Sequence, residues 1–450
     1  MKPFYRTILI LLAVLLVAIL IGFGIANRRN NSIAVELILP GENNRVGVYG
    51  PVGFQFNQAM DHASVEDHIT ITPKTPGTFE WEGNTVWFFP EMPFDPAQDL
   101  VFSLRPGAKS AEGESLRLSI DSGLSIRTPE ILYLVLDQSG GDLWRWEATH
   151  QTATALTDTG GAIIDYAPSR TGEQIAYAAE NADGGSDLWV MNRDGQESTL
   201  LLDCGLDYCS QPAWSKYGDQ VAYTRQIRSA DTGLLQVPQV WTASLDPVAT
   251  TVLDEEINGH SSSFSPDGTK LAFYNTTQSG IQILNLETGQ SVLLPTSVEE
   301  IGDWSPDSQS LLFTDLIPSA LEPGVGLYIA DLTTNTVQRA LEGESDGTSF
   351  GQPRYAPNAE WIAVSLRAVN ATPNTALWAL NLNGKDIDLI ANEPATTYTA
   401  YHWNPSGYQL VYQSLDTSSA NFRSEIWLWH WGKEESQLIA EDGARPMWLP

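Results

Sequence analysis

The sequence predicts an all-β protein: a seven-bladed β-propeller whose N- and C-terminal strands close the ring, preceded by a β-sandwich and one N-terminal transmembrane helix. Three observations carry this. An aromatic residue followed by a tight-turn motif recurs from Tyr166 onward at intervals of 48, 50, 40, 51, 48 and 45 residues, a period that suits four short strands and their loops. The strands missing at one end of this array are supplied at the other. The chain holds 15 Trp, 15 Tyr and 14 Phe with 36 Gly and 26 Pro, which describes a folded, turn-rich chain and excludes disorder or a helical bundle. The 450 residues divide into 1–30, 34–128 and 130–450.

The first element is the apolar run from Thr7 to Asn27, 21 residues without a charge. As a helix it would span roughly 31 Å, the thickness of a bilayer core. A cleaved signal peptide is the alternative, with Gly24-Ile25-Ala26 as a small-residue site, but the run exceeds the about 7 to 15 residues usual there. The expectation is a single-pass anchor in the cell membrane with the bulk of the chain extracytoplasmic. The two cysteines agree with this, because Asp203-Cys-Gly-Leu-Asp-Tyr-Cys209 places Cys204 and Cys209 at a spacing that closes a small disulfide ring in an oxidising compartment. Net charge is -31, from 24 basic and 55 acidic residues, and such a surface repels phosphate backbones. Nucleic acid is excluded as a partner.

Residues 34–128 alternate as half-buried antiparallel strands: Val52, Phe54 and Phe56, then Ile69 and Ile71, Phe79 and Trp81, Val86 and Phe88. Short strands separated by Pro and Gly turns suit a β-sandwich. Phe56-Asn-Gln-Ala-Met-Asp61, Trp81-Glu-Gly-Asn84 and Leu104-Arg-Pro-Gly-Ala-Lys109 resemble the bacterial Ig-like domain of S-layer and other surface proteins. That resemblance implies a spacer or adhesion module.

In the repeat array the turns read Tyr166-Ala-Pro-Ser, Trp214-Ser-Lys-Tyr-Gly, Phe264-Ser-Pro-Asp-Gly, Trp304-Ser-Pro-Asp-Ser, Tyr355-Ala-Pro-Asn and Trp403-Asn-Pro-Ser-Gly, with a seventh aromatic at Trp448. Each is followed by a buried-strand signal such as Gln220-Val-Ala-Tyr or Gln409-Leu-Val-Tyr, then by an aliphatic-aromatic pair such as Leu188-Trp189 or Ile426-Trp427. Residues 132–157 supply second, third and fourth strands without a first, and Pro446-Met-Trp448 supplies a first strand alone. Joined, they complete one blade and remove two exposed edges. These motifs resemble the TolB-like β-propeller family, also seen as the propeller of prolyl oligopeptidases, over about residues 130 to 450. The resemblance implies a propeller that binds proteins, peptides or sugars, or gates a catalytic domain.

Chemical motifs are sparse. Gly343-Glu-Ser345-Asp-Gly347 and Gly347-Thr-Ser349-Phe-Gly351 match the nucleophile-elbow pattern, but a new blade follows them instead of a helix. The Asp of each Pro-Asp-Gly turn caps its own backbone, Asp183-Gly-Gly-Ser-Asp187 is a weak cation candidate, and the six His show no metal-ligand spacing. No metal and no cofactor are assigned. In an antiparallel blade, the second-to-third loops and the inter-blade loops emerge on one face, and the long connections fall there. The residues preceding the seven aromatics, Asp165, Ala213, Ser263, Asp303, Arg354, His402 and Met447, should line the inner rim. Four of them, Asp165, Asp303, Arg354 and His402, form the expected ligand or peptide-terminus site, with Tyr208, Phe350, Tyr401 and Phe422 as stacking surface. The functional expectation is a non-enzymatic binding or scaffolding protein at the cell envelope whose partner is a protein, a peptide or a cell-wall glycan. The alternative is a propeller lyase or hydrolase acting on a polysaccharide in the channel. Oligomeric state is not legible.

Overall fold

The computed structural model describes residues 33–40, 45–136, 140–317, 324–341, 348–367, 375–382, 386–418, 423–433 and 435–450. They fall into two compact units, one within Met1–Asn44, Pro51–Pro90 and Gln98–Ser125, the other comprising Arg45–Gly50, Glu91–Ala97 and Ile126–Pro450. Residues 45–50 and 91–97, placed in the sandwich by sequence, therefore cluster with the larger unit.

The smaller unit is built from two antiparallel sheets. One orders Val35–Ile38, Val52–Phe56, Thr85–Pro90 and Gly77–Glu82; in the other, Leu100–Leu104 pairs with both Ile69–Thr72 and Ile120–Ile126. Alternation puts Val52, Phe54 and Phe56 on the buried side of their strand while Gln55 faces solvent. Phe54 and Phe102, from the two sheets, stack with ring centroids 4.7 Å apart. The sequence shows only strands here, yet His62–Glu66 forms a short helix. Asp61 caps it by accepting from the Ser64 N–H at 3.1 Å, and Val65 is its buried residue.

The expected transmembrane helix, with the single-pass anchor and the cell-membrane location built on it, is corrected. Among the described residues no helix is long and apolar enough to cross a membrane. The five-residue helix His62–Glu66 is only about 7.5 Å long against a core of about 30 Å. Thr7 to Asn27, on which the expectation rested, lie outside the described residues.

The larger unit is a ring of four-stranded antiparallel blades, seven among the described residues. Blades 1 to 6 begin with the strands Ile163–Pro168, Tyr208–Trp214, Gly259–Phe264, Asp303–Trp304, Ser349–Tyr355 and Thr396–Trp403. Single parallel bridges, Ser186 to Tyr208 and Val325 to Ser349, join blade 1 to blade 2 and blade 4 to blade 5. Blade 7 is composite: Gly443–Leu449 pairs with Glu130–Leu136 in the register Met447 to Leu132 and Trp448 to Ile131. Fourth strands such as Thr152–Ala155 and Val248–Val252 form the exposed rim, whereas second strands such as Gln174–Glu180 are almost wholly buried.

The recurrent turns are self-satisfied. In Phe264-Ser-Pro-Asp-Gly the Ser265 hydroxyl donates to Asp267 at 2.5 Å, Asp267 Oδ1 accepts the Thr269 N–H at 3.0 Å, and Gly268 takes a φ of +77°. Ser305 and Asp307 repeat this at 2.6 Å, so these aspartates close turns. Asp187 is likewise occupied, accepting from Asn181 Nδ2 at 2.9 Å and from the Cys204 N–H at 2.8 Å.

A buried arginine secures the ring closure. Arg193 donates to the carbonyls of Gly172 at 2.7 Å and Pro450 at 3.1 Å and to Glu130 at 2.8 Å, and Glu130 also faces Arg145 at 3.7 Å. These acceptors compensate the desolvation of a guanidinium that is only 8% exposed. At the same closure Trp448, 8% exposed, packs with Ile131 and Tyr133 of its own blade and with Val411 of blade 6. Trp448→Ala should therefore lower propeller stability by about 3 to 5 kcal/mol, measured by denaturant unfolding. A loss below about 1 kcal/mol would show that closure through Trp448 contributes little to the ring.

Candidate functional site

The site is built by an irregularity shared by the first strands. In blades 1, 2, 3, 5, 6 and 7 the pairing register slips shortly before the recurrent aromatic. In five of these the residue three positions before the aromatic adopts a left-handed backbone: Gln211 (φ +54°), Ser261 (+57°), Gln352 (+49°), Ala400 (+46°) and Arg445 (+51°). Blade 4 instead places its left-handed residue two positions before the aromatic, at Gly302 (+70°), where an added Cβ would meet the Leu312 carbonyl at 1.9 Å.

The bulges knit the inner rim from blade to blade. Gln211 Oε1 accepts the Ser261 N–H at 3.0 Å, Glu300 Oε2 accepts the Gln352 N–H at 3.0 Å, Gln352 Oε1 accepts the Ala400 N–H at 3.0 Å, and Gln413 Oε1 accepts the Arg445 N–H at 3.1 Å. Arg445 carries the series across the closure by donating to the Ile164 carbonyl of blade 1 at 2.8 Å. The N–H groups that bulging frees from the ladder are thus taken up by side chains of the preceding blade.

Asp303, Arg354 and His402 lie on adjacent blades, half-buried, and act on one another. Burial pushes the Asp303 carboxyl up to about 6 against the opposing influence of Arg354 and the Tyr355 N–H, which donates to it at 2.7 Å. Burial, reinforced by the Arg354 charge, pushes His402 down to about 3. Arg354 donates through Nη1 to the carbonyls of Gly302 and its own neighbour Pro353, both at 3.2 Å. Among the described residues its Nε and Nη2 make no hydrogen bond.

Asp165 is held elsewhere. It pairs with Arg445 Nη1 at 3.0 Å and accepts the Tyr166 N–H at 2.9 Å, and burial raises its pKa against the lowering influence of Arg445. The four expected residues therefore form a group of three and a separate ion pair. Of the other rim positions, Met447 packs against the apolar cluster of Leu132, Tyr166 and Leu449. The expected stacking surface is also revised. Phe350 and Tyr401 are buried, the Tyr401 hydroxyl bonding the Gly351 carbonyl and the Ser365 N–H, each at 2.7 Å, and Phe422 lies outside the described residues.

Arg445, Glu300 and Gln352 were missed because the sequence reading took only the position adjacent to each aromatic. The third position upstream carries the signal, with a long polar side chain at Gln211, Gln352 and Arg445. On the loop face, the Cys204–Cys209 disulfide closes a turn whose Asp207 accepts from Arg225 Nη2 at 2.6 Å and from the Arg228 N–H at 2.8 Å. Of the long connections expected on this face, 318–323, 342–347 with the first elbow-like motif, 368–374 and 419–422 lie outside the described residues. Ser349 of the second motif begins a first strand, which is not the strand-to-helix turn of an elbow.

No protein-family model and no curated protein matches the sequence. Among solved structures, a prolyl endopeptidase is similar over 71% of this chain and 50% of its own, with 15% identity and a TM-score of 0.52. TolB from Acinetobacter baumannii is similar over 71% of this chain and 82% of its own, with 19% identity and a TM-score of 0.43. Oligogalacturonate lyase from Vibrio parahaemolyticus is similar over 70% of this chain and 85% of its own, with 14% identity and a TM-score of 0.49. The structural neighbours are thus TolB and related β-propeller proteins, enzymes and non-enzymes alike, and they speak to fold alone.

The two shifted groups have opposite linkage. Asp303 rises from 3.8 to about 6 on folding, so its contribution to stability is full below about pH 4 and is lost as pH rises through 6. His402 falls from 6.5 to about 3, so its contribution is full above about pH 6.5 and is lost as pH falls towards 3. Asp303→Asn should therefore gain stability relative to the wild type as pH rises from about 4 to about 6, read from paired thermal unfolding curves. A difference independent of pH in that window would show that Asp303 titrates normally.

Proposed function

We propose that this chain is a non-enzymatic binding protein whose propeller takes a peptide or protein segment in its channel, near the end where each first strand enters its tight turn, with Arg354 engaging a carboxylate such as a peptide terminus. The open side of Arg354 carries this reading. A guanidinium whose Nε–Nη2 edge is unused among the described residues, set in a half-buried rim, offers the planar fork that carboxylates accept in bidentate fashion. Beside it, Asp303 offers an acceptor for ligand N–H groups, while neutral His402 adds no second positive charge. The net charge of -31 opposes polyanions and favours a ligand with one locally matched carboxylate. In this reading the sandwich unit is an Ig-like spacer.

The rival, a lyase or hydrolase working in the channel, requires a proton-transfer set. Asp165 is engaged by Arg445, and a histidine held at about 3 is a poor base at neutral pH, so the geometry favours binding.

An array of synthetic peptides, each made with a free C-terminal carboxylate and as its amide, tests the assignment. The carboxylate forms should bind preferentially, and Arg354→Ala should weaken them ten- to hundredfold, the range for losing hydrogen bonds to a charged group, with an unchanged melting temperature. Equal binding of carboxylate and amide forms, or retention of neutral oligosaccharides in place of peptides, would overturn it.

A further inference from the structure

At the end of blade 2 remote from its Trp214 turn, the connection between the strands Gln220–Gln226 and Gln239–Leu245 leaves the ring as a hairpin. Its arms are tied by main-chain hydrogen bonds, the Gln236 N–H donating to the Ile227 carbonyl at 2.8 Å and the Ser229 N–H to the Leu234 carbonyl at 2.9 Å. The hairpin displays aliphatic side chains where a solvated loop ordinarily carries polar ones. Leu234 is 69% exposed and Val237 60%; Ile227 and Leu235 are exposed with them, as is Leu206 on the neighbouring disulfide turn. Single exposed aliphatics are ordinary on any surface, but five on two adjoining loops mark a contact surface.

These loops are fastened together before any partner arrives. Arg228 spends all three guanidinium nitrogens on carbonyls of three segments: Nε on Leu206 at 2.9 Å, Nη1 on Gly233 at 2.9 Å and Nη2 on Gly184 at 3.0 Å. Its own N–H donates to Asp207 at 2.8 Å, the same carboxylate accepts from Arg225 Nε at 2.9 Å and Nη2 at 2.6 Å, and the Cys204–Cys209 disulfide closes the turn around it. The hydrogen-bonding groups are thus consumed inside the platform, and the aliphatic side chains are left outside. A surface ordered in advance avoids the entropy that ordering would otherwise cost on binding.

Because both arginines belong to this scaffold, the free charge around it is acidic. Asp183, Asp203 and Asp231 stand exposed on the same three segments, and exposed Asp254, Glu255 and Glu256 follow on the turn that Gln239 Nε2 joins to the hairpin base through the Glu255 carbonyl at 3.2 Å. That rim decides between occupants. A second copy of the chain would set the same acids against one another across a two-fold axis, and an anionic membrane would be repelled. We infer that the platform docks a protein segment whose apolar face is edged by Lys or Arg, as in a basic amphipathic helix. The aliphatic side chains supply the buried centre of the contact and the acids its polar rim. This surface is separate from the channel and does not depend on the role of Arg354.

The probe is a synthetic amphipathic helical peptide of Leu and Lys, labelled with a fluorophore and titrated with the full chain by anisotropy. It should bind roughly tenfold or more tightly than either of two controls, one with every Lys replaced by Glu and one with every Leu replaced by Ser. Added salt should weaken the binding. The double variant Leu234→Ser with Val237→Ser should lose roughly tenfold in affinity at an unchanged melting temperature, since both side chains are exposed, while Arg354→Ala should change nothing. Equal binding of the Leu/Lys and Ser/Lys peptides would reduce the attraction to net charge and overturn the assignment, as would full affinity in the double variant. Self-association in sedimentation, or binding to phosphatidylcholine vesicles, that the double variant abolishes would give the platform to a second copy or to a membrane and overturn it equally.

Discussion

The hydrogen bond from five of the seven recurrent aromatics to the backbone of the preceding blade is the constraint on which the propeller depends. The indole N–H of Trp214 donates to the Ala167 carbonyl at 2.9 Å, Trp304 to Ser263 at 3.2 Å, Trp403 to Arg354 at 3.2 Å and Trp448 to His402 at 3.0 Å, while the Tyr166 hydroxyl bonds the Leu132 carbonyl at 2.9 Å across the closure. In the interior the blade faces meet through apolar side chains, whose attraction is not directional. The N–H sets the angle between neighbours, and a buried indole without an acceptor would cost roughly 1 to 3 kcal/mol. That penalty resists any slip between blades.

This pin also creates the candidate site. The acceptors in blades 3, 5 and 6 are the carbonyls of Ser263, Arg354 and His402, each immediately before its own blade's aromatic. With the carbonyl turned to the next blade and the aromatic turned into the core, the channel remains for the side chain. The bulge three residues upstream widens the strand there and demands acceptors for the N–H groups it frees, which Gln211, Glu300, Gln352 and Gln413 supply. Polarity at the rim is therefore partly structural. Arg354 stands out because, among the described residues, its hydrogen bonds leave the Nε–Nη2 edge of the guanidinium open.

The two groups of charge differ in kind. Around the closure, Arg193, Glu130 and Arg145 saturate one another and the chain's last carbonyl, an arrangement suited to fixing the ring. In the channel, burial acts on Asp303 and His402 from opposite directions, and neither is fully compensated. Incomplete compensation costs stability, and groups perturbed in this way occur more often at functional sites than elsewhere.

The blades were legible in the sequence because each repeat carries its own local instruction. Ser265-Pro-Asp-Gly268 closes its turn with its own side chains, and Gln220-Val-Ala-Tyr223 forms a buried strand whatever lies beside it. The complementary incomplete blades at residues 132–157 and 446–448 likewise encode their pairing, because an unpaired edge is unfavourable anywhere. The sandwich strands followed from alternation, but the helix at His62–Glu66 did not, since five residues are too few to show a helical period. Local sequence could not say which rim residues meet. Asp165 and Arg445 are 280 positions apart and touch only because the ring closes, whereas Asp303, Arg354 and His402 come together because their blades are consecutive. Burial was equally hidden: Tyr401 reads as stacking surface on the rim and is instead buried. Sequence by itself determined the propeller blades and their order, since those rest on interactions between residues close along the chain. Tertiary structure alone decided which charges are paired, which are left open and which cavities remain, because desolvation and partnership depend on neighbours that only the closed ring supplies.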